Sequence, residues 1–270
     1  MRQERDSGMR RTVHLAVKLA DGAVSLTILG IFLAMMSYGC YMLWDARQIY
    51  AIADASVYTV YRPVPDDTES FAELQAINPE VFGWLTVYGT SIDYPLTQGE
   101  DNEKYVNTDA KGEYSLSGSI FLDSRNQQDF SDSVSILYGH DMVEKKMFGG
   151  LADFADEAYF QSHRYGNLFS GGQNYGVEFL VYLETDAYDT CVYAPDTADE
   201  ELPDYVRRIY ELAVRSRQAV VSENDHLILL STCSAERTNG RCILVGRVTE
   251  ETWPDLFSEG EEEGTKETKK

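Results

Sequence analysis

The sequence predicts a mainly β domain, an antiparallel sandwich or barrel, behind a single apolar helix. Three observations predict it. Short apolar runs recur from Gly83 to about Val192, and clusters of Gly, Asn, Asp and Ser separate them. Tyrosine is abundant, at 18 residues, and with Val, Ile and Thr it suits a pleated, half-buried surface. The stretch Ala23 to Trp44 carries no charge, and roughly 20 such residues cross a bilayer core as a helix.

Taken in order, residues 1–22 hold Arg2, Arg5, Arg10, Arg11 and Lys18. That excess of basic residues predicts a cytoplasmic N-terminus, a single-pass anchor at 23–44 and everything beyond it outside the cell membrane. Trp44 and the tyrosines near it suit the outer interface. Ala51-Ile52-Ala53 has the form of a signal cleavage site, but the apolar run exceeds the roughly 7–15 residues of a signal h-region, which favours an uncleaved anchor. Residues 45–69 form a juxtamembrane connector. Ala46 to Val57 can extend the helix until Pro63, Pro65 and the acidic run break it. Ser70 caps a short helix, Phe71 to Ile77, that stops before Asn78-Pro79.

The strand candidates are Trp84–Val87, Ser119–Leu122, Ser135–Tyr138 and Val177–Tyr182, closed by His226–Leu230 and Cys242–Val248. A long helix is predicted from Pro203 to about Gln218, because Leu202, Tyr205, Val206, Ile209, Leu212 and Ala213 share one helical face and Pro203 suits the first turn. The catalytic candidates therefore fall in a domain spanning 70–252. Residues 253–270 are expected to form an acidic disordered tail, since from Ser258 onward it has nothing to bury.

A net charge of −22 excludes the basic footprint that nucleic-acid binding needs. It is a solubilising surface or a field that attracts basic or amine-bearing partners. The four cysteines are Cys40, Cys191, Cys233 and Cys242. They lack zinc spacing, and three lie beyond the apolar segment, so at least one thiol there is free. A free thiol in an oxidising compartment is either a small buried hydrophobe or a reactive group.

Cys233 is the candidate for reactivity, since it ends the run Leu229-Leu230-Ser231-Thr232-Cys233 and a strand end hands a side chain to a cleft. Arg241 follows eight residues later, where a turn to an adjacent antiparallel strand would return it beside the thiol. A guanidinium there favours thiolate and can stabilise an oxyanion. His140 also sits at a strand end, in Tyr138-Gly139-His140-Asp141, placed to move protons. His163 reads as a surface residue and His226 as a structural one.

Several strings, in order along residues 70–250, resemble the class B branch of the sortases. They are Phe71–Trp84 (FAELQAINPEVFGW), Gly89–Leu96 (GTSIDYPL), Gly118–Asn126 (GSIFLDSRN), Asp129-Phe130, Tyr138–Met142 (YGHDM), Ser231-Thr232-Cys233 and Arg241–Arg247 (RCILVGR). The resemblance implies an eight-stranded sortase barrel with peripheral helices. It also implies a cysteine transpeptidase that cleaves the C-terminal sorting signal of secreted proteins and passes the new carboxyl end, as a thioester, to an amine. That amine would belong to a peptidoglycan precursor or a pilin lysine, in a Gram-positive cell. The implied catalytic residues are Cys233, His140 and Arg241, with Ser231, Asn102 and Val106 lining the peptide site. No metal or organic cofactor is implied. Asp141 stands where the family pattern usually has Asn, and a carboxylate there would stabilise an imidazolium. Cys242 replaces a more usual apolar residue and is expected to pack inward. An ordinary secreted cysteine protease and a non-catalytic surface module are the competing readings. The papain-type Cys-Gly-Ser-Cys-Trp surrounding is absent.

Overall fold

The computed structural model describes residues 2–64, 69–194, 202–234 and 238–257, with side chains from His14 onward. The predicted disordered tail is corrected at its start, where Trp253 stacks on Tyr165 and Phe257 on His163, and from Ser258 it lies outside the described residues. The chain divides near Gln48 into two units. The first is the long helix α1, which spans Arg2–Ile52. Its stretch His14–Ile52 is long and apolar enough to cross a membrane and is unburied. The helix stops short of Val57. Asp54 accepts a hydrogen bond from Ser56 N and starts a separate 3-10 turn, Ala55–Val57.

The second unit is the predicted β domain, and it closes into a barrel. Its strands are β1 (Val81–Val87), β2 (Asp93–Thr97), β3 (Ile120–Leu122), β4 (Val134–Tyr138), β5 (Tyr165–Ser170), β6 (Gln173–Asp186), β7 (Ala213–Ser216), β8 (His226–Cys233) and β9 (Gly240–Thr249). Neighbours run β5-β1-β2-β3-β4-β8-β9-β6-β7, and β5 also pairs with β6. That pairing closes eight strands into the barrel and leaves β7 on the edge of β6. β6 is long enough to pair with β5 through its first half and β7 through its second, while β9 lies along most of its length.

Two faces of the sheet make two cores. The barrel interior takes Trp84, Leu96, Leu137, Phe179, Ile228, Leu230 and Leu244. The outer faces of β8 and β9 bury Leu227, Leu229, Ile243 and Val245 under a helix, α4 (Leu202–Glu211). The helix α2 (Glu69–Ile77) buries Phe71 and Leu74, and Phe71 meets Phe169 of β5 edge-on. A short helix, α3 (Glu157–Ser162), precedes β5.

Two further expectations are corrected. The helix predicted to reach Gln218 ends at Glu211, and Ala213–Ser216 is an edge strand on β6. Leu212 and Ala213 do continue the helical stripe. The buried Arg217 overrides it: the Arg217 amide donates to Leu180 O, and its guanidinium donates to Phe179 O and Phe160 O and lies over the Phe160 ring. Satisfying that cation requires the chain to run along β6. His163 is also not a surface residue. It is 8% exposed, stacked between Tyr159 and Phe257, with both ring nitrogens against backbone carbonyls. His226 is structural, as expected, with Nδ1 bonded to Asp132 O.

Candidate active site

The site forms where β4, β8 and β9 end together. β8 and β9 are antiparallel in a register that sets Cys233 opposite Arg241. β4 runs parallel to β8 with Tyr138 beside Ser231, so His140, two residues on, emerges at the same edge. The Gly139 amide donates to Ser231 O and extends that pairing by one residue. A Cβ there would sit 2.5 Å from Ile120 Cδ1 and 2.8 Å from the Phe148 ring, so any larger residue has to push those side chains aside.

All six residues singled out from the sequence line one cavity of about 340 Å³: Cys233, His140, Arg241, Ser231, Asn102 and Val106. Cys233 is an exposed free thiol. His140 is half-buried, and its Nε2 donates to Val106 O at 2.8 Å. A carbonyl can only accept, so Nε2 holds its hydrogen in either protonation state and Nδ1 is the nitrogen left to exchange a proton. Arg241 Nη1 donates to Gly240 O at 3.0 Å, and among the described residues no carboxylate pairs with it. Its remaining donors are available to an incoming oxygen. Asn102 Oδ1 accepts from the Ser124 amide at 2.8 Å and ties its loop to the end of β3.

Sequence reasoning missed Tyr193. Its hydroxyl bonds Ser231 Oγ at 2.8 Å, and its ring stacks on Tyr138. Desolvation pushes the phenol up to about 12; the Ser231 hydrogen bond and the Arg241 charge act against it, and the charge of Cys233 adds to it. Tyr193 therefore feels both catalytic candidates. Behind it, Tyr138 donates to Asp123, which Arg125 holds through two guanidinium nitrogens. Burial raises the Asp123 carboxyl, but the bonds from Arg125 and Tyr138 outweigh it and hold it low. Nothing in the turn around Tyr193 has strand or helix periodicity, so no signal in the sequence marked it.

The two departures resolve differently. Cys242 packs inward, 3% exposed, where burial raises its thiol. Desolvation pushes the Asp141 carboxyl upward, and Asp141 lines a different cavity from His140.

The arrangement brings a thiol, an imidazole and a guanidinium to the rim of one cleft. No family model matches the chain. Among curated proteins it is similar to sortase B of Listeria monocytogenes, at 36% identity over 208 residues, covering 76% of this chain and 82% of that protein. Among solved structures it is similar to a Streptococcus pyogenes class B sortase involved in pilus biogenesis, at TM-score 0.63 and 37% identity, covering 66% of this chain and 97% of that one. A sortase B from a type II pilus of Streptococcus pneumoniae gives TM-score 0.59 and 42% identity, covering 67% and 99%.

Proposed function

The chain belongs to the sortase B family of cysteine transpeptidases, and on that premise we propose that Cys233, His140 and Arg241 carry its reaction on a C-terminal sorting signal. The sulfur of Cys233 attacks a backbone carbonyl of the peptide, after a Thr. Arg241 turns its free donors to the oxyanion that forms. His140, protonated at Nδ1, gives that proton to the leaving amine. The carbon–nitrogen bond breaks and a thioester to Cys233 remains. An acceptor amine then attacks the thioester, the C–S bond breaks with its electron pair returning to sulfur, His140 takes the amine's proton, and the Cys233 thiolate is restored. The amine belongs to a peptidoglycan precursor or to a lysine of a pilin. Ser231, Asn102 and Val106 hold the peptide, with Tyr193 fixing Ser231.

The single observation that carries this reading is the convergence of all three groups on one open cavity beside an exposed, unbridged thiol. The apolar helix supports an anchor at 23–44, with residues 1–22 cytoplasmic and the catalytic domain, 70–252, outside the membrane. The test is cleavage of a panel of fluorogenic peptides with Thr before the scissile bond, with and without added amine. Cleavage that needs Cys233, with product shifting from acid to amide as amine rises, is expected. Cleavage that survives in Cys233→Ala would remove the mechanism.

A further inference from the structure

A second cavity, of about 200 Å³, borders the same thiol. β8 ends between the two: Ser231 lines the first alone, and Thr232 and Cys233 line both. Cys233 is the last residue of the strand and touches both cavities. The second has apolar walls, Phe148, Ala152 and Ala155, and two carboxylates, Asp141 and Glu184. No Lys or Arg is among its described lining residues. Thr232 also lines it, 4% exposed, and its Oγ1 has no hydrogen-bond partner. A buried hydroxyl left this way is costly and marks a place for a polar guest.

We propose that this cavity receives the acceptor, a primary ammonium on an aliphatic arm with no carboxylate beside the nitrogen, as in a lysine side chain. This rests on the transpeptidase reading and names its second substrate. The acyl half of the peptide stays in the first cavity through both half-reactions, so the leaving amine and the incoming amine share the opposite side of the sulfur. Asp141 and Glu184 draw the ammonium in, the apolar walls cover its methylenes, and Thr232 Oγ1 gains a partner. An acceptor with a carboxylate next to its amine, such as diaminopimelate, is repelled. The ammonium gives one proton to solvent. The neutral nitrogen attacks the thioester, the C–N bond forms, the C–S bond breaks and the pair returns to sulfur as thiolate. The second proton goes to His140 Nδ1.

The test uses the full chain in detergent micelles and the peptide from the fluorogenic panel that is cleaved fastest in a Cys233-dependent way. The readout is the ratio of transfer to hydrolysis at one acceptor concentration, which is independent of the amount of active enzyme. Nα-acetyl-lysine amide should exceed meso-diaminopimelate by about tenfold, and Asp141→Asn and Glu184→Gln should each lower the lysine ratio by about fivefold and narrow that preference. The two carboxylates lie on different elements, so one folded variant suffices. A lysine-containing muropeptide and a lysine peptide of protein sequence distinguish a wall acceptor from a protein acceptor. Ratios within about twofold of the parent in the folded variants, or no preference against diaminopimelate, would overturn the acceptor site while leaving the transpeptidase intact. Absence of any Cys233-dependent cleavage would overturn both.

Discussion

β8 and β9 run side by side through the barrel wall, and their two ends are built to opposite rules. At one end Arg247 of β9 donates to Glu178 and lies beside Asp225, while Arg164 donates to the other oxygen of Glu178. Each of these charges has a counter-charge. Six residues earlier on the same strand, Arg241 faces a thiol across the register and an open cavity. The two arginines share a strand and a face. One is committed to cohesion; the other, in the proposed function, meets a charge that appears only during reaction. A barrel that pairs its charges at one end can leave them unpaired at the other.

The sharpest way to break this contrast is to change each end in turn. Cys233→Ala should abolish acyl transfer to the limit of detection, by about 10³-fold or more, with the fold retained. Arg241→Lys keeps the charge but loses the planar fork, and turnover should fall by about 10²-fold with little change in the melting midpoint. Arg247→Lys should do the reverse, lowering the midpoint while peptide cleavage continues. Parallel melts and cleavage rates on the variants decide it. A loss of turnover in Arg247→Lys as deep as that in Arg241→Lys would show that the two ends are not separable.

The catalytic end was the more legible in the sequence. Apolar runs that stop at Cys233 and His140 mark strand ends, and β-strand register then brings them together without further information. The ordered strings also carried structural residues. Asn126, inside Gly118–Asn126, donates to Val134 O and accepts from the Ile136 amide, and so holds β4 in place. What stayed hidden depends on contacts between distant segments. β2 is broken by Pro95 and β5 reads Tyr-Gly-Asn-Leu-Phe-Ser, so neither shows an alternating pattern. β7 was read as helix because the burial of Arg217 against β6 cannot be seen locally. The second cavity is equally invisible, since Asp141, Glu184 and Thr232 meet only when the barrel closes.

A smaller effect sharpens the contrast at the paired end. Burial raises the Glu178 carboxyl, but the hydrogen bonds from Arg164 and Arg247 outweigh that and hold it below the usual range. A carboxyl lowered on folding contributes stability above its unfolded value, about 4.3, and loses it as pH falls through the folded value. Melting midpoints measured from pH 7 to pH 3 should therefore drop on the acid side. Glu178→Gln should cost about 1–3 kcal/mol near neutral pH and flatten that acid limb, because both arginines are partly solvated. An acid limb of unchanged steepness in the variant would place the acid sensitivity elsewhere.

The smallest effect probes the unpaired end in the opposite direction. Thr232 keeps a buried hydroxyl with no partner, at 4% exposure, next to Cys233. Replacing it with Val removes the unsatisfied oxygen and preserves the branched shape. Stability should rise by up to about 1 kcal/mol, read as a higher melting midpoint. At the paired end Glu178, Arg164 and Arg247 already hold one another, so no such gain is available at them. The same substitution should reduce transfer to amine relative to hydrolysis, since the acceptor loses the hydroxyl it would meet. A variant that gained stability and kept its full transfer ratio would make Thr232 a packing flaw with no part in catalysis. A variant that lost stability would mean the hydroxyl is already satisfied in solution, and the unpaired end would then obey the same rule as the paired one.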